Sequence, residues 1–509
     1  MLKKVRKIIC VFLFTFSSIF YFLSIYIKLD FGDFSFEQLL YSLIYSKGSS
    51  LDVIINGLLF VCIFLLIYFL LVYFFKLLYL KIKKFNYYII LSFNNYVFKY
   101  SFGLNLFYLF IFIIFIYFSL FNLKFFDYYN YHKDFSSFIG DNYVSPRNVN
   151  ITFYEKRNLI YIYIESLEMT NVSIDNGGAV NNSYIPNLEN IALNNINFSN
   201  NDKLGGGYVL EGSGWTAGAL VSQTSGIPLK VTVGGNEYTG YSSLLPGVYS
   251  IGEILEDNGY KNYFILGSDA EFGGRKDYFK QHGDYEIFDY YWAIDSGKIA
   301  ESYHEWWGYE DRKLFDYTKE QLLNISKKSE PFNFTLLTAD THFTDGYLDD
   351  FCTSHFDKKY ADSFYCSDNM IYDFIKWIQK QDFYKNTTIV ITGDHLTMQN
   401  DFYSDIDKSY DRVVYNAFIN SSISTDNSKN RLFSTFDMYP TTLAAIGADI
   451  EGNRLGLGTN LFSNVSTLSE IYGINYLNSE LSKKSDFYNM YLLGDSYFEM
   501  KETLKENNS

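Results

Sequence analysis

Asp394 and His395 stand side by side just after Ile389, Val390, Ile391 and the stop at Gly393. A short β-branched run of this kind is the signature of a buried strand. Open α/β sheets present their chemistry at the carboxyl ends of such strands. Asp and neutral His are ligands suited to a divalent cation. A lone Asp-His pair reads first as a strand ending in a solvated turn. A second apolar run, Leu159 to Ile164 (LIYIYI), ends in the same way on Glu165 and Ser166. Two buried strands that each deliver a carboxylate at their end make a metal site the better reading.

Three further places carry residues of chemical interest. Gly205-Gly206-Gly207 and Glu211-Gly-Ser-Gly-Trp-Thr216 form a glycine-rich stretch leading into Ala217–Ser222, which reads as a helix start. No Gly-Lys-Ser/Thr closes it, so it is not a Walker A loop. Glycines there let backbone approach a ligand closely, and a helix N-terminus favours developing negative charge. Thr216 at that position is either an N-cap or, beside a metal, an activated hydroxyl nucleophile. His342, in Asp340-Thr341-His342, follows another strand candidate and suits binding a phosphate oxygen or protonating a leaving group; its alternative is a structural loop histidine. Arg275, next to Gly273 and Gly274, suits bidentate oxyanion recognition, or is a solvated surface arginine.

The elements that must position these residues alternate. Strand candidates are Leu159–Ile164, Tyr263–Leu266, Phe332–Thr338, Ile389–Thr392 and Val413–Ile419. Helix candidates include Ile251–Asn258, Gly308–Ile325, Ser367–Lys380 and Asp437–Ile446. Strands alternating with helices predict an α/β domain over residues 157–465, built on a mostly parallel sheet with helices on both faces.

The first quarter of the 509-residue chain is different. Lys3, Lys4, Arg6 and Lys7 precede the uncharged run Ile8 to Ile27, too long for a signal peptide and without a small-residue cleavage site. Val53–Phe75 and Phe102–Leu123 are two more spans. Weaker patches at Leu39–Ile44 and Tyr87–Phe98 raise the count to five if they cross as well. Lys76, Lys81, Lys83, Lys84 and Lys99 occupy the second loop without an acidic residue. This bias places the N-terminus and that loop inside, and everything after Leu123 outside, for either odd count. Residues 1–123 are thus read as a transmembrane region, 124–156 as a linker and 466–509 as a tail with no assigned role.

Net charge is −15 despite the Lys-rich start, and the basic footprint that nucleic-acid binding requires is missing. Cys352 and Cys366 lie close together in the polar part, without zinc spacing, and a disulfide between them fits an extracytoplasmic location.

IYIESLE, EGSGWTAGALVSQTSGIPL, DTHFTDGYLDDFC and TGDHLTM, in that order, resemble the motifs of the phosphoglycerol transferase I family. These enzymes belong to the alkaline phosphatase/sulfatase superfamily and are related to lipoteichoic acid synthases. The resemblance runs over residues 158–465, after hydrophobic spans such as that family has. It implies a sulfatase-like catalytic domain on the outer face of the cytoplasmic membrane. By that similarity Glu165, Thr216, Asp394 and His395 match the metal ligands, Thr216 is the nucleophile, and Arg275 and His342 fall where substrate phosphate is contacted. The expected cofactor is a divalent ion, Mn²⁺ or Mg²⁺ before Zn²⁺, since the ligands are oxygen-rich and include no thiolate. The expected donor is phosphatidylglycerol and the acceptor a glycan or polymer. Three other readings remain: a sulfatase-like phosphodiesterase or hydrolase, a phosphoethanolamine transferase, and a membrane sensor with a degenerate site. Phosphoethanolamine transferases usually read Ser-Asp-His-Gly-Glu where this chain reads Gly-Asp-His-Leu-Thr-Met, and the Cys/Ser-x-Pro-x-Arg context of a sulfatase formylglycine is missing.

Overall fold

A computed structural model describes residues 2–30, 34–44, short stretches between 59 and 77, 89–93, 96–100, 104–230, 244–399 and 401–494. The chain divides into two compact units, Met1–Phe36 with Ser49–Tyr129, and Glu37–Gly48 with Asn130–Ser509.

In the first unit a 29-residue helix, Leu2–Asp30, packs along Leu104–Asn122. Stacked rings join them, Tyr21 on Phe115 at 4.9 Å. The window Phe12–Leu29 has the length and apolarity to cross a bilayer, while the apolar part of the other helix, Leu109–Asn122, is shorter. About half of the expected span Val53–Phe75 lies outside the described residues, and the described half is helical. Of the weaker patches, Leu39–Ile44 falls in the nine-residue helix Phe36–Ile44. Much of Tyr87–Phe98 forms an antiparallel pairing of Ile89–Phe93 with Tyr96–Tyr100.

The second unit is built on a six-stranded sheet. Its strands are β1 (Asn158–Ile164), β2 (Lys261–Leu266), β3 (Glu286–Phe288), β4 (Phe332–Leu337), β5 (Thr387–Gly393) and β6 (Asn416–Ile419). The order is β3-β2-β4-β1-β5-β6, parallel throughout except for β6 against β5. Leu159 to Ile164 are each at most 1% exposed. Since successive side chains point to opposite faces, helices must cover both. One group of helices is α1 (Thr216–Ser225), α2 (Ile251–Asp257) and α5 (Met438–Ala445), tied to the sheet where the Tyr161 hydroxyl donates to Gln223. Another is α3 (Asp311–Ile325) and α4 (Lys359–Ile378), joined by Phe315 on Phe374 at 5.1 Å.

Register sets the site. Ile164 is paired with Gly393 and Tyr163 with Leu337, so β1, β5 and β4 end at one level and release Glu165, Asp394 and the His342 loop together.

Several boundaries differ from the sequence reading. The strand expected at Val413 starts at Asn416, because Val414 instead bridges to Glu168 and Gly207. The helix expected at Gly308 starts at Asp311, since Gly308 has φ +153°. The helix expected from Ser367 starts at Lys359. The stretch expected to be a linker is partly built into the domain: Ile151–Phe153 pairs antiparallel with Ala448–Ile450. The described part of the tail, to residue 494, is folded too. Lys230 Nζ donates to the carbonyls of Leu481 and Lys483, and Arg431 pairs with Glu470 at 2.7 Å.

Cys352 and Cys366 form a disulfide with Cα atoms 5.6 Å apart, across a sequence separation of 14. Closing such a loop contributes about 3 kcal/mol in the chain-entropy model. Neither thiol is expected to react with an alkylating reagent in the native protein until reductant is added, and reduction is expected to lower the thermal midpoint. Alkylation of both without reductant would refute the pairing.

Candidate active site

Glu165, Asp394 and His395 converge at the ends of β1 and β5, all buried, with ligand atoms within 4.8 Å of one another. The loops reach this proximity because Gly393 has no side chain: a Cβ there would lie 1.7 Å from the carbonyl oxygen of Leu167. Asp394 Oδ1 accepts from the backbone N–H of Ser166 (2.8 Å) and of His395 (2.7 Å). Ser166 holds a left-handed backbone, φ +56°, and its hydroxyl donates to Glu165 Oε1 at 2.8 Å. Strain of this kind in a non-glycine residue concentrates at functional sites. Thr341 donates to the Glu165 carbonyl and Gln223 to that of Gly393.

Thr216 closes the cluster. It is the first residue of α1, with Trp215 in the cap position and no side-chain cap bond. Its Oγ1 is 3.3 Å from Glu165 Oε2 and 3.4 Å from His395 Nε2. The N-cap reading of Thr216 therefore gives way to one in which the hydroxyl faces the carboxylates. The triglycine stretch has a different explanation from the expected one. A Cβ on Gly206 would lie 1.8 Å from the Val414 carbonyl oxygen, so the glycine is demanded by packing within the protein.

The donor set fits a divalent cation. His395 Nδ1 donates to the Leu396 carbonyl at 2.8 Å, which leaves Nε2 facing Glu165 and Asp394, each at 3.4 Å, as the ring atom that would hold a cation. Asp394 Oδ2 is buried and has no hydrogen-bond partner among the described residues. Burial and the neighbouring Glu165 push the Asp394 carboxyl up to about 8. Burial opposes charge on Glu165 too, but His395 and His342 outweigh it and hold that carboxyl below its ordinary value. Buried acidic groups in this state are what a bound cation relieves.

His342 reaches the same site. Its Nδ1 donates to the Phe343 carbonyl at 2.5 Å, its ring lies 4.7 Å from Trp307, and burial draws its pKa below the usual imidazole value despite Glu165. Arg275 is not a solvated arginine. It is 8% exposed, with Nε and one terminal nitrogen donating to the carbonyls of Phe272 and Asp269 at 2.8 and 2.7 Å. Its positive charge is a minor influence, after burial, in lowering the His342 pKa.

Sequence reasoning missed the ion pair behind the cluster. Arg412 grips Glu168 through Nε and a terminal nitrogen, at 2.7 and 2.5 Å, and also donates to the Thr397 carbonyl. Glu168 accepts the Thr397 N–H at 3.1 Å. The pair ties the loop after Glu165 to the loop after His395. Glu168 stood in the quoted IYIESLE motif; Arg412 carried no signal. Asp311 and Asp340 were missed as well. They accept each other's backbone N–H, at 3.0 and 3.2 Å, and anchor the loop that carries His342.

The family model described as Sulfatase matches residues 157–448. The chain is 31% identical over 317 residues to Phosphoglycerol transferase I of Xanthomonas campestris pv. campestris (strain B100), covering 61% of this chain and 43% of that protein. It is 31% identical over 345 residues to Phosphoglycerol transferase I of Escherichia fergusonii, covering 66% and 43%. The chain thus spans less than half the length of these curated relatives. Among solved structures, the lipoteichoic acid synthase LtaP from Listeria monocytogenes aligns with TM-score 0.49 and 18% identity, covering 64% of this chain and 81% of that one. The Streptococcus pyogenes phosphoglycerol transferase GacH, in complex with sn-glycerol-1-phosphate, aligns with TM-score 0.42 and 14% identity, covering 72% and 92%.

Proposed function

The chain belongs to the sulfatase family, and on that premise we propose that it is a membrane-anchored phosphoglycerol transferase. Glycerol phosphate passes from phosphatidylglycerol to a glycan or polymer acceptor through a covalent intermediate on Thr216. The observation that carries this reading is the Thr216 hydroxyl, set at a helix start within 3.4 Å of both Glu165 and His395.

Glu165, Thr216, Asp394 and His395 would hold the divalent ion, Mn²⁺ or Mg²⁺ in preference to Zn²⁺ for an oxygen-rich set without thiolate. When bound, such an ion lowers a hydroxyl pKa and offsets charge on a phosphoryl group. The chain's own groups supply the rest. Thr216 Oγ1 forms the new bond to phosphorus as the bond to the diacylglycerol oxygen breaks, and that oxygen leaves with a proton. With Nδ1–H committed to Phe343, His342 offers Nε2 as the nitrogen that exchanges a proton or meets a phosphate oxygen. Arg275 contributes a buried positive charge beside the transferred group. An acceptor hydroxyl then attacks phosphorus and frees Thr216.

The test is to incubate purified protein with phosphatidylglycerol labelled in the head-group glycerol. Label on an added glycan supports transfer. Label released as free glycerol phosphate would make the protein a hydrolase, and no release would refute both.

The lysine asymmetry sets the expected topology, N-terminus inside and residues beyond Leu123 outside. Reporter fusions after residues 90 and 150 are expected to behave oppositely, the second as extracytoplasmic. A cytoplasmic signal at residue 150 would remove access to an outer-leaflet donor and the mechanism with it.

A further inference from the structure

Between β3 and α3 the chain reverses at Glu305–Gly308, whose end residues exchange both backbone hydrogen bonds at 2.9 Å. The two residues at the tip are Trp306 and Trp307. Trp306 has φ +57°, in the first central position of a two-residue turn, where a positive φ ordinarily calls for glycine or asparagine. A bulky residue persists in that conformation only where its surroundings over-determine it. Here two anchors do so. Gly308 bridges to Ser268, and the Tyr309 N–H donates to the Gly267 carbonyl at 3.0 Å, which joins the turn to the loop leading from β2 to Arg275. The Trp306 indole N–H donates to the Ala339 carbonyl at 2.8 Å, at the start of the loop that carries His342.

The strained turn fixes the ring of Trp307 between the two side chains assigned to phosphate. It lies 4.7 Å from the His342 ring and stacks at 5.8 Å on Phe272, whose own ring is 5.6 Å from the Arg275 guanidinium. The Phe272–Gly274 turn abuts α1, since a Cβ on Gly273 would meet that of Ala217, the residue after Thr216, at 3.8 Å. Trp307 is only half-buried, and its indole N–H makes no hydrogen bond among the described residues. Whatever is bonded to a phosphorus held by His342 and Arg275 therefore comes to rest beside this ring. An indole offers an apolar face to C–H groups and one N–H donor to a hydroxyl oxygen, and a short polyol carries both. We propose that Trp307 is a specificity-determining residue that contacts the glycerol of the transferred group. The inference rests on the transfer reading above, with His342 and Arg275 as the phosphate contacts.

The test titrates the full chain in detergent calorimetrically, with Mn²⁺ in slight excess over protein, using sn-glycerol-1-phosphate and inorganic phosphate as ligands. The parent is expected to bind glycerol phosphate the more tightly. Trp307→Ala is expected to weaken glycerol phosphate by roughly tenfold and inorganic phosphate by less than about twofold. Trp307→Phe, which keeps a ring and loses the N–H, is expected to fall between the parent and the alanine variant. Circular dichroism checks that each variant is folded. The ratio of the two affinities is the decisive quantity, because a merely structural role, lost through a displaced His342 loop, would weaken both ligands alike. An unchanged ratio in a folded alanine variant, whether both affinities fall together or neither falls, would overturn the proposal and leave the transferase reading standing without Trp307. A parent with no preference for glycerol phosphate over inorganic phosphate would overturn that reading and the proposal with it.

Discussion

Thr216→Ala is expected to leave a folded protein that no longer releases diacylglycerol from phosphatidylglycerol. The stability cost is small because Thr216 is not the cap of its helix; Trp215 occupies that position and the Thr216 side chain makes no cap bond. The loss typical of removing an N-cap therefore does not apply, and the expected cost is that of one part-buried hydrogen bond to Glu165, about 1 kcal/mol. Activity behaves otherwise. The hydroxyl faces Glu165 and His395 and is the proposed nucleophile, so its removal is expected to cost about a thousandfold or more. Thr216→Ser keeps the oxygen and is expected to retain turnover. Mass spectrometry of the tryptic peptide containing Thr216 is expected to show a phosphoglycerol adduct in the parent and none in the alanine variant. Parent-rate diacylglycerol release by the alanine variant would return Thr216 to a structural role and move the chemistry elsewhere.

What the sequence disclosed about this site followed from burial. Buried parallel strands are nearly continuous runs of apolar residues, and LIYIYI and the Ile389–Ile391 run announce themselves by composition. Each stops at a side chain of the cluster, so Glu165, Asp394 and His395 were legible before any register was known. Nothing local shows that Ile164 sits opposite Gly393, yet that pairing brings the two carboxylates together. Thr216 was legible as a helix start, but whether its hydroxyl capped the helix or faced the site depended on a single residue of phase. Arg412 had no local mark: it gains meaning only from Glu168, 244 positions away in sequence. The linker and the tail were underread for a related reason. Short polar and aromatic segments carry little periodicity, and their order comes from contacts such as Ile151–Phe153 on Ala448–Ile450 and Lys230 on the carbonyls near Lys483.

Asp394→Asn is expected to separate the metal site from the fold by reversing sign with conditions. Its retained carbonyl oxygen can still accept from Ser166 and His395, so the turn between β5 and the following loop persists. The amide nitrogen would stand in place of Oδ2, the buried oxygen without a hydrogen bond among the described residues, and cannot bind a cation. Metal binding is expected to be lost. With it goes the ligand-induced stabilisation of the parent, about 4 kcal/mol at a thousand times the dissociation constant. In chelator the order changes. The parent then buries two carboxyls side by side, and that of Asp394 is pushed up to about 8, against about 4 in the unfolded chain. Between those values the folded state binds the extra proton, so this group's contribution to stability falls as pH rises from about 4 to about 8. The asparagine variant has no such group. Near pH 8 in chelator it is expected to be at least as stable as the parent, and with excess Mn²⁺ to be much less stable than it. Thermal denaturation of both proteins near pH 5 and near pH 8, with chelator and with Mn²⁺, tests this. A variant that keeps the Mn²⁺-dependent shift would place the cation somewhere other than Glu165, Asp394 and His395, and a parent that shows none would remove Mn²⁺ as its occupant.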